Sequence, residues 1–253
     1  MPEKKAKSYT ANSLVRGLEI LSLFDHKNSS LNLSEIASIM GITSSAVYRY
    51  VVTLENEGFL SKQTNGKQYK LAARVMDLGF RYIKSLDISE IAEPYIKNLR
   101  NITDFTAHVS VLENTEIVYI YRALSERSLV SNIPVGSRLP AHATSMGRLM
   151  LSGLSDQEII KLYKKYKFPA LTEHAPRDTE TLLALIKKDR ELKYVAQRSH
   201  LASDTFVIAY PILSSNGEIV GAINISGHEQ QLKADQFMID AVAKAANEIS
   251  AFL

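Results

Sequence analysis

The stretch Leu31–Leu71 constrains the fold of this chain more than any other part of the sequence. Apolar residues recur at helical spacing, are interrupted at Gly41, and resume helical spacing up to about Glu57. Glycine readily adopts the left-handed conformation that ends a helix. Thr43 or Ser44 can cap the next helix by accepting hydrogen bonds from its free N–H groups. The pattern therefore predicts two short helices joined by a tight turn.

Two strand-like segments follow the second helix, Phe59–Lys62 and Gln68–Leu71. Asn65-Gly66 lies between them and is typical of a two-residue hairpin, because both residues tolerate positive φ. An amphipathic segment, Ser13–Phe24, precedes the helix pair and predicts one further helix. Helices followed by a hairpin predict a winged helix-turn-helix, which places one helix in the major groove of DNA.

The spacing of apolar residues also predicts which face of each terminal helix is buried. In the first helix, capped by Asn12 or Ser13, the predicted inward residues are Leu14, Leu18, Leu21 and Phe24. In the last helix, at about 234–252, they are Phe237, Val242, Ala245, Ile249 and Phe252.

Hydroxyl, aromatic and cationic residues cluster on the outer side of the second helix of the pair and on the hairpin. Hydroxyls at a positively polarised helix end bind phosphate, and arginine can also bind guanine through two hydrogen bonds. A solvated helix face and solubilising lysines are the alternative. The predicted DNA contacts are Arg16, Ser44, Ser45, Tyr48, Arg49, Lys62 and Lys67.

The charge is distributed unevenly along the chain. Residues 1–82 contain 11 Lys and Arg against 7 Asp and Glu, a net charge of +4, and the remainder has 19 against 20, a net charge of −1. An excess of positive charge in the predicted DNA-binding part is what phosphate neutralisation requires. A chance fluctuation of a few charges is the alternative.

Beyond the hairpin, the sequence predicts a linker helix over 72–85 and then an α+β domain with a mainly antiparallel sheet. From Phe105 onwards the apolar period changes from helical to two. Pro94 lies within a helical pattern and is predicted to kink or divide it. Predicted helices cover 88–101, about 142 onwards, 155–165 and 179–191, and predicted strands cover 105–112, 117–121, 129–133, 194–196, 205–213 and 218–225.

Several function classes are disfavoured by what the sequence lacks. With no cysteine there can be no disulfide, thiolate nucleophile or cysteine metal site. The six histidines show no metal-site spacing, and no GxSxG or phosphate-binding glycine loop occurs. No apolar run could cross a bilayer and no secretory signal is present. No catalytic residue, metal or cofactor is predicted, and the expected location is the cytoplasm.

Taken together, the chain resembles the IclR family of bacterial transcriptional regulators from about Ser13 to Phe252. The segments that carry the resemblance are SLVRGLEILSLF, LSEIASIMGITSSAVYRYVVTLENEGFL, YKLAARVMDLG, VGSRLPAHATSMGRLMLSGLS and YPILSSNGEIVGAINISG. The resemblance implies a winged helix-turn-helix domain at 8–71, a linker helix at 72–86, and an effector-binding, oligomerising domain similar to GAF and PAS sensors at 87–253. It also implies a homodimer or dimer of dimers on a near-palindromic operator in double-stranded DNA, most often as a repressor, with a small metabolite tuning the binding.

The resemblance places the effector pocket at Leu129, Ser131, Ser145, Met146, Val207, Asn224 and Ser226. Asn224 and Ser226 alternate with isoleucines, so they share one face of a strand. Free N–H groups at the helix start around 144–147 could receive a carboxylate. A solvated sheet face is the alternative.

Departures from the family pattern lie around this predicted pocket and in the DNA reader. Ser199 and His200 replace an acidic pair, Asp204 replaces a glycine and Val207 replaces a frequent cysteine. Arg198 and His200 could bind an anion or lie on the surface. In the reader, a lysine and a Ser-Thr pair are replaced by Ser44, Ser45 and Ala46, so Tyr48, Arg49 and the wing lysines must carry more of the binding.

Two further readings of the C-terminal half are weaker. Asn224, Ser226, Asp204 and His200 could form a hydrolytic set, although the sequence does not place them within hydrogen-bond distance of one another. The C-terminal domain could also bind a metabolite or act as an enzyme, with the winged helix serving only for protein contact.

Overall fold

A computed structural model describes residues 9–25, 27–63, 66–126, 133–169, 171–202 and 204–253. The contacts divide the chain into two units, one up to Tyr82 and one from Ile83 onwards. Each unit has its own hydrophobic core.

The first unit is a helix-turn-helix followed by a hairpin, as the sequence predicts. Its small antiparallel sheet has the strand order β1-β3-β2. The buried core includes Ile20, Ile36, Val47, Val51 and Tyr69. Its elements are α1 (Asn12–Leu21), β1 (Leu31–Asn32), α2 (Leu33–Met40), α3 (Ser44–Asn56), β2 (Leu60–Lys62) and β3 (Gln68–Leu71).

The turn between α2 and α3 has the predicted chemistry. Gly41 ends α2 in the left-handed conformation, with φ 64°. Thr43 caps α3, since its side chain accepts a hydrogen bond from the Ala46 N–H at 3.3 Å. Strand β1, which pairs with β3, was not predicted. The predicted hairpin residue Asn65 lies outside the described residues.

The predicted inward face of α1 is wrong for two of its leucines. Leu14 is 63% exposed and Leu18 is 56% exposed, whereas Ile20 is fully buried. Contacts of Ile20 and Phe24 with the core set the rotation of this helix, and they turn the two leucines outwards. The predicted caps are also wrong, because Ala11 occupies the cap position and makes no side-chain cap hydrogen bond.

Helix α4 (Arg74–Lys84) corresponds to the predicted linker and has no buried residue. Its apolar residues lie exposed within this single chain, among them Met76, Leu78 and Phe80. An amphipathic helix with no covered face is typical of a segment that another chain covers.

The second unit contains, within the described residues, a six-stranded antiparallel sheet in the order β6-β5-β4-β9-β8-β7. Helices α5 and α9 pack against one face, and α6, α7 and α8 cover the other. The strands are β4 (Thr106–Glu113), β5 (Glu116–Ala123), β6 (Arg138–Pro140), β7 (Val195–Arg198), β8 (Thr205–Leu213) and β9 (Ile219–His228). The helices are α5 (Asp87–Thr103), α6 (Ser145–Ser152), α7 (Asp156–Tyr163), α8 (Thr179–Leu192) and α9 (Gln236–Ser250), with a short 3-10 turn at Ala141–Ala143 before α6. The prediction of an α+β fold with a mainly antiparallel sheet is confirmed.

Some details of this unit differ from the prediction. Pro94 lies inside α5 without dividing it. The strand predicted at 129–133 falls largely outside the described residues, and Ile133 is not in a strand. Phe237 and Phe252, predicted to face inwards, are 59% and 66% exposed. Small residues such as Ala241 and Ala245 form the packed face of α9, which turns Phe237 outwards, and Phe252 lies beyond the end of the helix.

Across the part of the chain that the structure describes, every helix is too short or too polar to span a lipid bilayer.

Candidate functional site

The start of α3 offers backbone N–H groups to solvent. Thr43 accepts from Ala46, but the N–H groups of Ser44 and Ser45, in the first turn, have no acceptor inside the helix. Both serines are exposed, and the Ser45 hydroxyl lies 3.1 Å from that of Thr43. Such an end, with its positive polarisation and its hydroxyls, is chemically suited to a phosphate.

The outer face of α3 continues with Tyr48 and Arg49. Val47 and Val51 are fully buried and fix the rotation of the helix, so that Tyr48 is 54% exposed and Arg49 is also exposed. Arg49 makes no side-chain hydrogen bond or ion pair with the described residues, which leaves its guanidinium free for an external partner.

The hairpin places two further predicted residues in the same unit. Lys62 and Lys67 are both exposed, and the Lys62 Nζ lies 5.9 Å from the ring centre of Tyr69. Arg16 differs from them, because its guanidinium forms an ion pair with Glu19 at 2.8 Å. Six of the seven predicted DNA contacts are therefore exposed residues of α3 and the hairpin, and the seventh is a paired cation on α1.

Arg74, which the sequence did not single out, fixes the junction between α3 and α4. Its guanidinium donates to the carbonyl of Glu57 and stacks 5.1 Å from the ring centre of Phe59. No local pattern in the sequence points to this contact, because Arg74 and Glu57 are 17 residues apart.

The second unit encloses a cavity of about 240 Å³ between the sheet and the start of α6. Ser145, Met146, Val207, Asn224 and Ser226, predicted from the family resemblance, all line it. The remaining two predicted residues, Leu129 and Ser131, lie outside the described residues. The other lining residues are Tyr119, Ile133, Ala143, Thr144, Ser199, His200, Leu201, Ala202 and Thr205.

Helix α6 begins in the wall of this cavity. The Thr144 side chain accepts from the Gly147 N–H at 3.0 Å, which leaves the N–H groups of Ser145 and Met146 without an acceptor inside the helix. A Cβ at residue 147 would lie 2.3 Å from the carbonyl oxygen of Ala141, so only glycine fits there. The buried N-terminus thus carries donors where a small anion could bind.

The floor of the cavity is formed by side chains of the central strand β9, and β4 lies beside it in the sheet. Asn224 and Ser226 are buried, so the predicted shared strand face is observed, and it is not a solvated surface. The Nδ1 atom of His108 lies 3.1 Å from the Asn224 Oδ1. Burial lowers the pKa of His108 to about 4, and the neutral ring can therefore donate through Nδ1 to Asn224.

Two buried polar atoms here have no hydrogen-bond partner among the described residues: the Ser226 hydroxyl on the floor, and the Nε2 atom of His108, a residue that contacts Asn224 but does not line the cavity. Buried polar groups are normally hydrogen-bonded, and exceptions concentrate at binding sites and ordered water sites. The floor therefore has unused hydrogen-bonding capacity next to the cavity.

Side chains behind the cavity wall form a charged network that the sequence did not reveal. Arg148 is 1% exposed and binds Asp189 through two hydrogen bonds, of 2.8 Å and 3.2 Å. It also contacts Gln197 at 2.9 Å and His200 at 3.3 Å. Of the two residues proposed as an anion site or a surface pair, His200 is thus buried in the wall, whereas Arg198 is exposed and pairs with Glu229 at 2.6 Å.

Strand periodicity could have identified some of the missed lining residues. Thr205 lies two residues before Val207 on β8 and shares its face. Ser199, His200, Leu201 and Ala202 belong to the connection between β7 and β8, where no periodicity exists to follow.

The geometry does not support the hydrolytic set. Asn224, Ser226 and His200 all line the cavity, but Asp204 is exposed and lies outside its lining. His142, considered a packing residue from its position in a helix-start motif, is fully buried against the rings of Tyr166 and Phe168. No group of residues with metal-ligand geometry occurs among the residues that the structure describes.

Comparisons with known proteins cover both units. Residues 13–64 match the family model "IclR helix-turn-helix domain", and residues 80–251 match "Bacterial transcriptional regulator IclR C-terminal". The Pca regulon regulatory protein of Pseudomonas putida is 30% identical over 233 residues, which are 90% of this chain and 79% of that protein.

Solved structures agree with the sequence matches. A putative transcriptional regulator from Rhodococcus sp. RHA1 is 30% identical and superposes with a TM-score of 0.83, covering 96% of this chain and 98% of that one. An IclR homolog from Microbacterium hydrocarbonoxydans, solved in complex with 4-hydroxybenzoate, has the same fold at 22% identity, with a TM-score of 0.82 over 94% of this chain and 98% of that one.

Proposed function

This chain belongs to the IclR family of bacterial transcriptional regulators, and we propose that it is a sequence-specific repressor whose operator affinity is altered by a small carboxylate. Its relatives are named as regulators and not as enzymes. We assign residues 8–71 to DNA binding, 72–86 to the linker and 87–253 to effector binding and oligomerisation.

The observation that carries this proposal is the cavity in the second unit. It combines the free N–H groups at the start of α6 with the unpartnered Ser226 hydroxyl on the floor and with apolar walls from residues such as Ile133 and Val207. Small-ligand sites typically have apolar walls and a few converging polar groups. None of its described lining residues is a lysine, arginine, aspartate or glutamate, so backbone donors and neutral side chains would bind the anion.

On the DNA side, the proposed contacts are Arg16, Ser44, Ser45, Tyr48, Arg49, Lys62 and Lys67. The exposed helix start and hydroxyls of α3 are placed for phosphates, and Arg49 is placed for a base edge or a phosphate. Lys62 and Lys67 add flanking cations from the wing. The proposed cytoplasmic location follows from a DNA partner.

A homodimer is proposed as the minimal DNA-binding form. Two copies of α3, about one helical turn of DNA apart, would read a near-palindromic site. Exposed apolar residues on α1 and α4 suit a covered interface, among them Leu18 and Phe80. Sedimentation equilibrium of the natural chain and of Phe80→Glu tests this proposal, and a monomeric natural chain would refute it.

The DNA part is tested by selecting sites from random duplexes and measuring affinity by fluorescence anisotropy at several salt concentrations. A reader of phosphates loses affinity steeply as salt rises. If the chain binds no DNA at low salt, the winged helix serves protein contact instead.

The effector part is tested with a thermal-shift screen of small carboxylates, followed by anisotropy with the selected operator. A ligand that binds the state of high or of low operator affinity more tightly shifts the equilibrium between these two states, whereas a ligand that binds both states equally does not. Asn224→Ala should bind operator like the natural chain but lose the response to that carboxylate. An unchanged response would remove Asn224 from the site, and transcription in vitro would decide between repression and activation.

A further inference from the structure

We propose that His200 determines the chemical class of the ligand, because it presents an N–H donor to the cavity that selects an anionic acceptor over a neutral amide or an amine. This inference rests on the proposed function, since it concerns the ligand of the same cavity.

The position of His200 is fixed from two sides. Its backbone carbonyl accepts from the Thr172 hydroxyl at 2.8 Å and from the Thr172 N–H at 3.4 Å. Its ring accepts from the Arg148 Nη1 at 3.3 Å, and Arg148 is itself held by Asp189. The residue is only 6% exposed and lines the cavity, so the ring belongs to a built wall.

The hydrogen-bond donors around this ring outnumber the acceptors. A guanidinium cannot accept a hydrogen bond, so Arg148 requires the lone pair of the His200 Nδ1. A neutral imidazole has one such lone pair, and the remaining hydrogen must then be on Nε2. Burial, followed by the positive charge of Arg148 and by the neighbouring His174 and His142, lowers the pKa of His200 to about 4. The ring is therefore neutral at neutral pH, with Nε2 as a donor.

Gln197 does not supply the missing acceptor. Its Oε1 accepts from the Arg148 Nη2 at 2.9 Å, which leaves its Nε2 facing the His200 Nε2 at 3.2 Å. Turning the amide over would place two donors together at Arg148 instead. In that second orientation Gln197 Oε1 would accept from the His200 Nε2–H, but the hydrogen bond from the charged Arg148 would be lost. Since charge-assisted hydrogen bonds are the stronger ones, the first orientation is favoured, and it leaves the His200 Nε2–H without an acceptor from the described residues.

An acceptor on a bound molecule would satisfy this donor of His200, the one member of the network that lines the cavity. Hydrogen bonds from N–H groups to a carboxylate are shorter and stronger than those to a neutral carbonyl. The ion pair with Asp189 neutralises the charge of Arg148, so the preference for an anion and against an amine comes from the N–H donor of His200. Arg148 orients the His200 ring through its hydrogen bond to Nδ1, and it is therefore a positioning residue.

The experiment compares 4-hydroxybenzoate with 4-hydroxybenzamide as probes, by calorimetry and ligand-observed NMR up to millimolar concentration, on the full chain. The natural chain should prefer the acid by about tenfold or more. His200→Leu should lose most of that preference, and His200→Gln should keep part of it, since glutamine retains a donor. His228→Gln, which changes a histidine outside the cavity lining, is the matched control and should behave like the natural chain.

A second measurement stays informative even if His200→Leu does not fold. In the natural chain labelled with ¹³C at the histidine Cε1, the acid should shift the His200 signal and the amide should not. Equal binding of acid and amide by the natural chain, or an unchanged preference in His200→Leu, would overturn this inference while leaving the cavity as an effector site. If neither probe binds, the carboxylate proposal for the cavity fails as well.

Discussion

The starts of α3 and α6 are built in the same way but lie in opposite environments. Each is capped by a threonine whose side chain accepts from the N–H three residues later, Thr43 from Ala46 and Thr144 from Gly147. Each is followed by a serine in the first helical position. The start of α3 is exposed, whereas residues 145–151 of α6 are all buried.

The difference shows that burial, more than local sequence, decides what such a helix end can bind. Both ends carry the same free donors and the same positive polarisation. The exposed end is open to a large polyanion. The buried end can accept only a molecule small enough for a cavity of about 240 Å³. The following predictions test this comparison, beginning with the largest expected effect.

Gly147→Val should have the largest effect, because its Cβ would overlap the carbonyl of Ala141 at 2.3 Å. The atoms of Ala141 that this Cβ would meet belong to the backbone and cannot move aside easily. We therefore expect a loss of about 3 kcal/mol or more in the free energy of unfolding. Ala46→Val, at the equivalent position of α3, should cost much less. Urea denaturation of both variants measures this, and equal losses would contradict the difference in packing.

Acidification should destabilise the unit with the buried helix start. Burial lowers the pKa of His108 and of His142 to about 4, from the ordinary 6.5. Between pH 4 and pH 6.5 each of these histidines is neutral in the folded protein and protonated in the unfolded chain, so unfolding takes up a proton. Their contribution to the free energy of unfolding is therefore complete above about pH 6.5 and falls as the pH drops towards 4.

Hydrogen exchange at pH 7 and pH 5 should therefore show weakened protection in residues from 83 onwards. His142→Phe keeps the aromatic packing against Tyr166 and should reduce the pH dependence, while His174→Gln should not change it. Identical protection at the two pH values would refute the assignment of these rings as buried and neutral.

Arg49→Ala should weaken operator binding by about tenfold to a hundredfold. If the contact is to phosphate, the slope of the logarithm of the binding constant against the logarithm of the salt concentration should also decrease in magnitude by about one. Arg177→Ala, which removes an exposed arginine of the other unit, is the matched control. Fluorescence anisotropy measures both. Unchanged affinity in Arg49→Ala would argue strongly against α3 as the groove-reading helix.

Removing the capping hydroxyl from each helix start should give a smaller difference in stability between the exposed and the buried start. Thr43→Ala should cost about 1 kcal/mol, a typical value for a lost cap. Thr144→Ala should cost about 1–3 kcal/mol, since it leaves the Gly147 N–H unsatisfied in the interior. Denaturant titration of both variants checks the order, and a greater loss for Thr43→Ala would reverse it.

Local chemistry made much of this fold predictable. Gly41 and the cap at Thr43 are short-range features, and both occur as predicted. The shared face of Asn224 and Ser226 followed from strand alternation alone. These features depend on residues within a few positions of one another, so the sequence contains the information.

The features that could not be predicted depend on contacts with residues that are distant in the sequence or on another chain. An amphipathic pattern identifies an apolar face, but not whether the same chain covers it, and Leu14, Leu18 and Phe237 are exposed for that reason. The cavity wall around His200 is set by Arg148, 52 residues away. No periodicity in the connection between β7 and β8 could have revealed that contact.

The strand order has a consequence for the speed of ligand exchange. Strands β4 and β9 are neighbours in the middle of the sheet, and β9 carries the floor residues Asn224 and Ser226. Central strands open rarely, so the floor is the stiff side of the cavity. The opposite wall at 199–202 is a connection, and its His200 carbonyl is held by Thr172. We therefore expect the residence time of a ligand to follow the opening of that wall, and loosening it at Thr172 should speed both release and association.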